Sequence, residues 1–124
     1  MASLDLDENH ARYQIRAYEP GTLQINDQTL TKSVIVTANE LIEDWPPQTA
    51  ADLSSQSFSS ILAFKPDILL IGTGSTHVFI SVDFYGELIN QGIGVEIMNT
   101  SAACRTYNAL TAEGRNVVAA LLIR

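Results

Sequence analysis

The chain has 124 residues, of which 14 are acidic and seven are Lys or Arg, so its formal net charge is −7. This length suits one domain with a hydrophobic core, and the apolar fraction of 46% is that of a folded globular protein. The seven basic residues are scattered singly, which argues against nucleic acid as a partner because phosphate binding needs clustered Lys and Arg. The single cysteine excludes an internal disulfide, and no Cys/His cluster has metal-ligand spacing.

The amino terminus has no pattern typical of a targeting segment. Residues 1–9 are acidic, and they contain neither the apolar stretch of a secretory signal nor the Arg-rich character of a mitochondrial transit peptide. No apolar run approaches the roughly 20 residues that span a bilayer. We therefore expect a flexible lead-in at 1–9, a single α/β domain at 10–124, no membrane span and a cytoplasmic location.

The first third of the chain is predicted to be a meander of short antiparallel strands. Tyr13, Ile15 and Ala17 alternate with other residues, which is the pattern of a strand with one buried face. Pro20-Gly21 provides turn chemistry before the next alternating run. The β-branched stretch at 33–38 is then expected to be the third strand of this meander.

The second half of the chain alternates between helical and strand patterns. Such short units call for parallel strands joined by right-handed crossovers, which makes this half an α/β layer. Continuous apolar runs indicate strands buried on both faces, and apolar residues three or four apart indicate helices. The predicted elements are a helix at 58–64, a strand at 67–72, a helix at 81–92, a strand at 93–98, a helix at 100–112 and a strand at 117–123.

The first candidate site is the loop that follows the strand at 67–72. Gly72 and Gly74 allow a tight turn that presents backbone N–H groups, and Thr73 and Ser75 add hydroxyls, so the loop is a candidate cradle for an anion or a carbonyl. It lacks the third glycine of a dinucleotide-binding fingerprint and the lysine of a phosphate loop. A purely structural strand-to-helix turn is the alternative interpretation.

The second candidate site is the start of the helix at 100–112, which points its free N–H groups toward the same sheet edge. Thr100 lies in the first turn, followed by Cys104 and Arg105. A helical projection places Cys104 opposite Ala109 and Leu110, outside the core, where the helix end would lower the pKa of its thiol.

Structural interpretations of Cys104 and Arg105 stay open beside the functional ones. A free cysteine often packs as a small hydrophobic residue, and Arg105 suits an ion pair with a nearby acid as well as it suits an anion. No histidine is close in sequence to serve Cys104 as a base. The residues thus lean against an enzyme, and they indicate no metal and no cofactor.

Several stretches together carry a family likeness that extends over residues 12–122. "ILLIGTG" followed by "GIGVEIMNTSAACRTYNALTAEGRNVVAALL" resembles one small domain-of-unknown-function family, and in the front half "PGTLQINDQTLTKSVIV", "DW" and "KPDILLIGTG" stand in the expected order. That family includes mitochondrial respiratory complex I (NADH dehydrogenase) assembly factor 3. The chain departs from the commoner "MDT" of the family by having Asn99 in "MNT".

The resemblance implies a three-layer α/β fold. Its central sheet is mixed and mostly parallel, with helices on one side, a helix and the N-terminal β-meander on the other, and an antiparallel last strand. In this chain that strand is expected at 115–123, because the turn at 112–115 is too short for a crossover. The resemblance also implies protein partners, a link to complex I assembly and no established enzymatic activity. Because it lacks a transit-peptide pattern, the chain looks like a bacterial member of the family.

Three functional hypotheses follow. The leading one is a non-catalytic interaction or assembly protein linked to respiratory complex I biogenesis. The second is a small-ligand or anion site between the Gly72–Ser75 loop and the start of the helix at 100–112, in which Gly74, Thr100, Cys104 and Arg105 converge on one pocket. The third is a structural module that self-associates through an exposed strand of the meander.

Overall fold

A computed structural model of the chain describes residues 9–124. The predicted lead-in at 1–9 therefore lies, except for Asn9, outside the described residues. The strands are β1 (Ile15–Glu19), β2 (Thr22–Ile25), β3 (Gln28–Leu30), β4 (Val34–Thr37), β5 (Leu41–Ile42), β6 (Ile68–Thr73), β7 (Gly94–Met98) and β8 (Val117–Leu122). The α-helices are α1 (Gly86–Asn90) and α2 (Thr100–Ala112), and 3-10 helices cover Ala50–Asp52, Ser55–Phe64 and Val82–Phe84.

The central sheet has five strands in the order β5-β4-β8-β6-β7. β6, β7 and β8 run parallel, whereas β4 is antiparallel to both of its neighbours. The mixed α/β class is confirmed, with one correction to the last strand. β8 is antiparallel to β4 on one side and parallel to β6 on the other, because the whole of α2, and not only the turn at 112–115, forms the crossover from β7.

The N-terminal meander consists of β1, β2 and β3, which form a separate antiparallel sheet. The stretch at 33–38 was expected to be its third strand, and this expectation is wrong. Its core forms β4, where all four residues are buried, so the strand needs cover on both faces and joins the central sheet. Within β1 the pairing with β2 shifts between Ile15 and Ala17, and the predicted alternation fails there: Ala17 is exposed.

Two apolar clusters, one on each face of the central sheet, define three layers. The first joins the sheet to α2 and the meander and includes Leu23 and Tyr107. The second joins the sheet to the 3-10 helix Ser55–Phe64 and to α1, and it includes Phe58 and Leu88. The helix predicted at 58–64 thus begins earlier and has 3-10 geometry. The helix predicted at 81–92 is divided into the Val82–Phe84 turn and α1.

Helix α2 begins as the sequence predicts but turns a different face to the core. Asn99 caps it, since the side-chain oxygen accepts a hydrogen bond from the Ala102 amide at 2.8 Å. Cys104 is buried and Ala109 is exposed, so the helical projection was wrong about which side packs. Ala, Thr and Ser dominate the helix and give such a projection little contrast. The buried positions are Thr100, Ala103, Cys104, Tyr107 and Thr111.

Candidate functional site

The two loops that the sequence singled out are in direct contact at the carboxyl ends of β6 and β7. The Gly74 amide donates to Thr100 Oγ1 at 2.8 Å, and the Gly74 carbonyl accepts from the Thr100 amide at 2.8 Å. The Thr100 hydroxyl in turn donates to the Leu122 carbonyl at 2.6 Å. Thr100 is 0% exposed, so a single buried side chain ties the first turn of α2 to the ends of β6 and β8.

The glycines of this loop serve close packing. A Cβ on Gly72 would lie 2.8 Å from Thr100 Oγ1 and 3.0 Å from Leu121 Cδ2, so α2 approaches β6 as closely as a bare backbone allows. Gly74 has a φ of +101°, which side chains rarely adopt, and a Cβ there would collide with the Arg124 carbonyl. Larger residues at these positions would separate the loop from α2 and from the end of β8.

Thr73 organises the rest of the loop. Its hydroxyl donates to the Thr76 carbonyl at 2.6 Å and accepts from the Val78 amide at 3.1 Å. The Ser75 amide donates to the Arg124 carbonyl at 3.1 Å. Ser75 itself is exposed and lines a separate cleft of about 280 Å³ with Thr73 and Arg124. The loop is therefore held in one shape by its own hydrogen bonds.

The structure does not bring the seven predicted site residues into one pocket. The amides of Gly74 and Ser75, which the sequence offered as an anion cradle, already donate to protein oxygens. Gly72 and Thr100 are buried against each other. Ligand binding between the loop and α2 stays a prediction. The contacts at this place are structural, because they hold the loop against α2 and the end of β8.

Cys104 and Arg105 lie on another side of α2, where they face the meander. Cys104 is 6% exposed, and burial raises the pKa of its thiol to about 12, although the neighbouring Arg105 acts in the opposite direction. The expectation of a lowered pKa is therefore wrong, because the cost of burying a thiolate outweighs the helix end and the arginine. Arg105 is exposed and donates from Nη1 to Ser101 Oγ at 2.8 Å. Both residues line a cleft of about 160 Å³.

Sequence reasoning missed a group of exposed apolar side chains that follows the Thr73 loop. Phe79 is 83% exposed, Val82 52%, Ile89 46% and Val78 36%. These are the exposed large apolar residues of the described part of the chain, and all four lie within twelve consecutive positions. The signal was present as "HVFISV", an apolar run in a connection between a strand and a helix, where water-facing loops are normally polar.

The remaining clefts and side chains of residues 9–124 add no candidate metal site. A cleft of about 480 Å³ borders Trp45, which is 3% exposed and whose indole N–H donates to the Ser57 carbonyl at 2.9 Å. Within residues 9–124 no three His, Cys, Asp or Glu side chains gather as a metal site would need. Every helix in that range is too short or too polar to cross a bilayer.

Comparison with known proteins identifies a family and several relatives. The family model described as a protein of unknown function (DUF498/DUF598) matches residues 15–122. The chain is 31% identical over 110 residues to NADH dehydrogenase (ubiquinone) 1 alpha subcomplex assembly factor 3 of Danio rerio. Those residues are 87% of this chain and 63% of that protein. The family resemblance noted in the sequence is thereby confirmed.

Two further relatives match over nearly the whole of both chains. The 13 kDa major membrane protein of Francisella tularensis is 27% identical over 118 residues, which are 94% of this chain and 96% of that protein. The crystal structure of a protein from Bordetella parapertussis is 34% identical, with a TM-score of 0.85, over 90% of this chain and 96% of that one. The fold thus occurs as a separate chain of this size in other proteins.

Proposed function

Because this chain belongs to the DUF498/DUF598 family of proteins of unknown function, we propose that it is a non-catalytic interaction protein that binds a protein partner during assembly of a larger complex. Its similarity to an assembly factor of NADH dehydrogenase supports respiratory complex I as that complex. This chain spans 63% of the length of the Danio rerio relative, so the partner of the whole relative is part of the proposal. The observation that carries the proposal is the exposed apolar segment at 78–89.

The backbone is anchored on both sides of Phe79, which holds its ring at the surface. Its neighbour Ile80 is 3% exposed and packs in the core between the sheet and the 3-10 helices, so the backbone at this point is anchored. On the other side, Thr73 accepts the amide hydrogen bond of Val78. A phenylalanine buries about 150–250 Å² when it is covered, and an anchor held in advance loses little entropy on binding. Phe79 therefore has the properties of a central interface residue.

The charge around the segment defines the chemistry of the partner. Residues 66–104 contain four acids and no Lys or Arg, and two of those acids, Asp83 and Glu87, are exposed within the segment itself. A partner surface that fits is an apolar groove edged by Lys and Arg. A second copy of this chain would bring like charges together, and an anionic membrane surface would repel the segment.

Site-specific crosslinking in cells tests the proposal. A photoreactive phenylalanine analogue replaces Phe79 in the full chain, and Ala112, exposed at the end of α2, receives it as the matched control. We expect position 79, and not position 112, to form an adduct with a subunit of NADH dehydrogenase or with a protein required for its assembly. In a host that lacks the gene, F79L should restore the assembled enzyme on native gels better than F79S.

Three results would contradict the proposal. The first is normal NADH dehydrogenase assembly without the gene, together with no adduct to its subunits or assembly proteins. The second is binding of the purified protein to phosphatidylcholine vesicles that F79S abolishes, with only lipid adducts at position 79, which assigns the segment to a membrane. The third is a concentration-dependent dimer that F79S dissociates, which assigns the segment to self-association.

A further inference from the structure

A polar cleft of about 160 Å³ lies where β1 meets α2, on a different part of the surface from the apolar segment at 78–89. The eight described residues that line it include two arginines and no acid, in a chain whose acids outnumber its Lys and Arg by 14 to 7. The cleft is several times larger than the roughly 30 Å³ that one water molecule occupies. Such a local excess of positive charge requires an explanation.

Arg16 reaches the cleft because β1 is irregular at this position. The Cα pairing with β2 jumps from Ile15–Ile25 to Ala17–Gln24, which leaves Arg16 as an extra residue without a partner. Bulges of this kind redirect a side chain and are common beside functional sites. The bulge also shifts the strand's phase, so that Ile15 and Tyr18 both pack toward the core.

The backbone at the bulge is fixed by α2. The Asn108 side chain donates to the Ile15 carbonyl at 2.7 Å and accepts from the Ile15 amide at 3.1 Å, as a neighbouring strand would. One helical turn earlier, Arg105 donates to Ser101 Oγ, so its guanidinium is held on the same side of α2 as Asn108. Two permanently charged side chains from two elements therefore border one cleft.

The other titratable side chains of the cleft carry no charge. Tyr18 lines the cleft, although its hydroxyl is buried and has no hydrogen-bond partner among the described residues. Burial and the nearby Cys104 both raise the pKa of Tyr18, so the phenol stays protonated and uncharged. Cys104 is neutral as well and does not repel an anion.

We infer that this cleft binds a phosphate group, held by the guanidinium groups of Arg16 and Arg105 and by the hydroxyl of Ser101. Guanidinium groups match the geometry of phosphate oxygens, and the hydroxyl adds a donor from another direction. The phosphate belongs to a free ion or to a monoester, since both present the same oxygens. This binding does not depend on the protein partner proposed above.

An NMR titration of the full chain at constant ionic strength tests the inference. The probes are inorganic phosphate and glycerol 3-phosphate, with acetate as a planar anion of the same sign. We expect saturable shifts of the Ala17, Ser101 and Arg105 signals with either phosphate probe. The tighter probe shows whether the site prefers the free ion or a monoester.

Four variants make the result specific. R16Q and R105Q should each weaken phosphate binding by about tenfold to a hundredfold, as expected for one charge-assisted hydrogen bond. Y18F, which preserves the ring and its packing but removes the buried hydroxyl, should leave phosphate binding unchanged. R115Q removes the same charge from an exposed position outside the cleft and should leave binding unchanged.

The inference is overturned if neither phosphate probe causes saturable shifts, which would mean that the cleft holds only water. It is also overturned if acetate binds as tightly as phosphate. Phosphate binding at this cleft is equally contradicted if R115Q weakens it as much as R105Q does, or if neither R16Q nor R105Q weakens it.

Discussion

Thr100 is the side chain whose removal should reveal how the carboxyl edge of the sheet is held together. Thr100→Val keeps the shape of the residue but deletes the hydroxyl that accepts from the Gly74 amide and donates to the Leu122 carbonyl. Both of those hydrogen bonds are buried, and Thr100 is 0% exposed. Water therefore cannot readily replace the hydroxyl as the partner of the Gly74 amide and the Leu122 carbonyl.

The expected loss follows from two buried hydrogen bonds. Leaving a buried donor or acceptor unsatisfied costs about 1–3 kcal/mol. Two such groups give a decrease of roughly 2–6 kcal/mol in the free energy of unfolding, out of the roughly 5–15 kcal/mol typical of a domain. The melting temperature should fall by roughly 10 °C or more.

Urea unfolding followed by circular dichroism measures this loss as a lower midpoint with an unchanged slope. Thr106→Val is the matched control in the same helix, because among residues 9–124 the only partner of the Thr106 hydroxyl is the Met98 sulfur at 3.6 Å. We expect this control to stay within about 1 kcal/mol of the wild type, since a sulfur is a weak acceptor. If Thr100→Val lowers the free energy of unfolding no more than Thr106→Val does, the two Thr100 hydrogen bonds at this edge do not contribute to stability.

Three further outcomes are expected. Gly74→Ala should destabilise the protein by about 2 kcal/mol or more in the same urea assay, because the added Cβ meets the Arg124 carbonyl and the positive φ is strained; wild-type stability would contradict the packing described. Asn108→Ala should lower stability by about 2 kcal/mol and accelerate amide hydrogen exchange at Ile15, which loses its partner; unchanged exchange would show that β1 is held otherwise. Cys104 should resist a thiol reagent at pH 8 in the native state and react in urea, and rapid labelling of the native protein would refute its burial. Because the native pKa of Cys104, about 12, exceeds the unfolded value, the free energy of unfolding should fall as pH rises from about 9 toward 12.

The elements themselves were largely predictable from local sequence. Continuous apolar runs predicted β6 and β8, which are buried on both faces, and Asn99 predicted the start of α2 through its capping side chain. Turn residues predicted the hairpin between β1 and β2. These features depend on near neighbours in the chain, so the sequence determines them directly.

Tertiary packing decided the features that concern function. Whether the Gly72–Ser75 loop and α2 enclose a pocket depends on the Thr100 hydroxyl, which fills the space between them and satisfies the groups a ligand would need. The orientation of Cys104 depends on α2 being covered on two sides, by the sheet and by β1.

The same holds for the two surfaces proposed here. Arg16 faces the cleft beside α2 because of one shifted pair in a strand ladder, and Phe79 faces water because its neighbour Ile80 is the residue that fits the core. Both choices also depend on contacts between residues far apart in the chain, because Asn108 of α2 fixes the backbone beside Arg16 and the core formed by distant segments takes Ile80. Sequence patterns report which segments bury apolar surface, whereas the positions left open at the surface are decided only when those segments pack together.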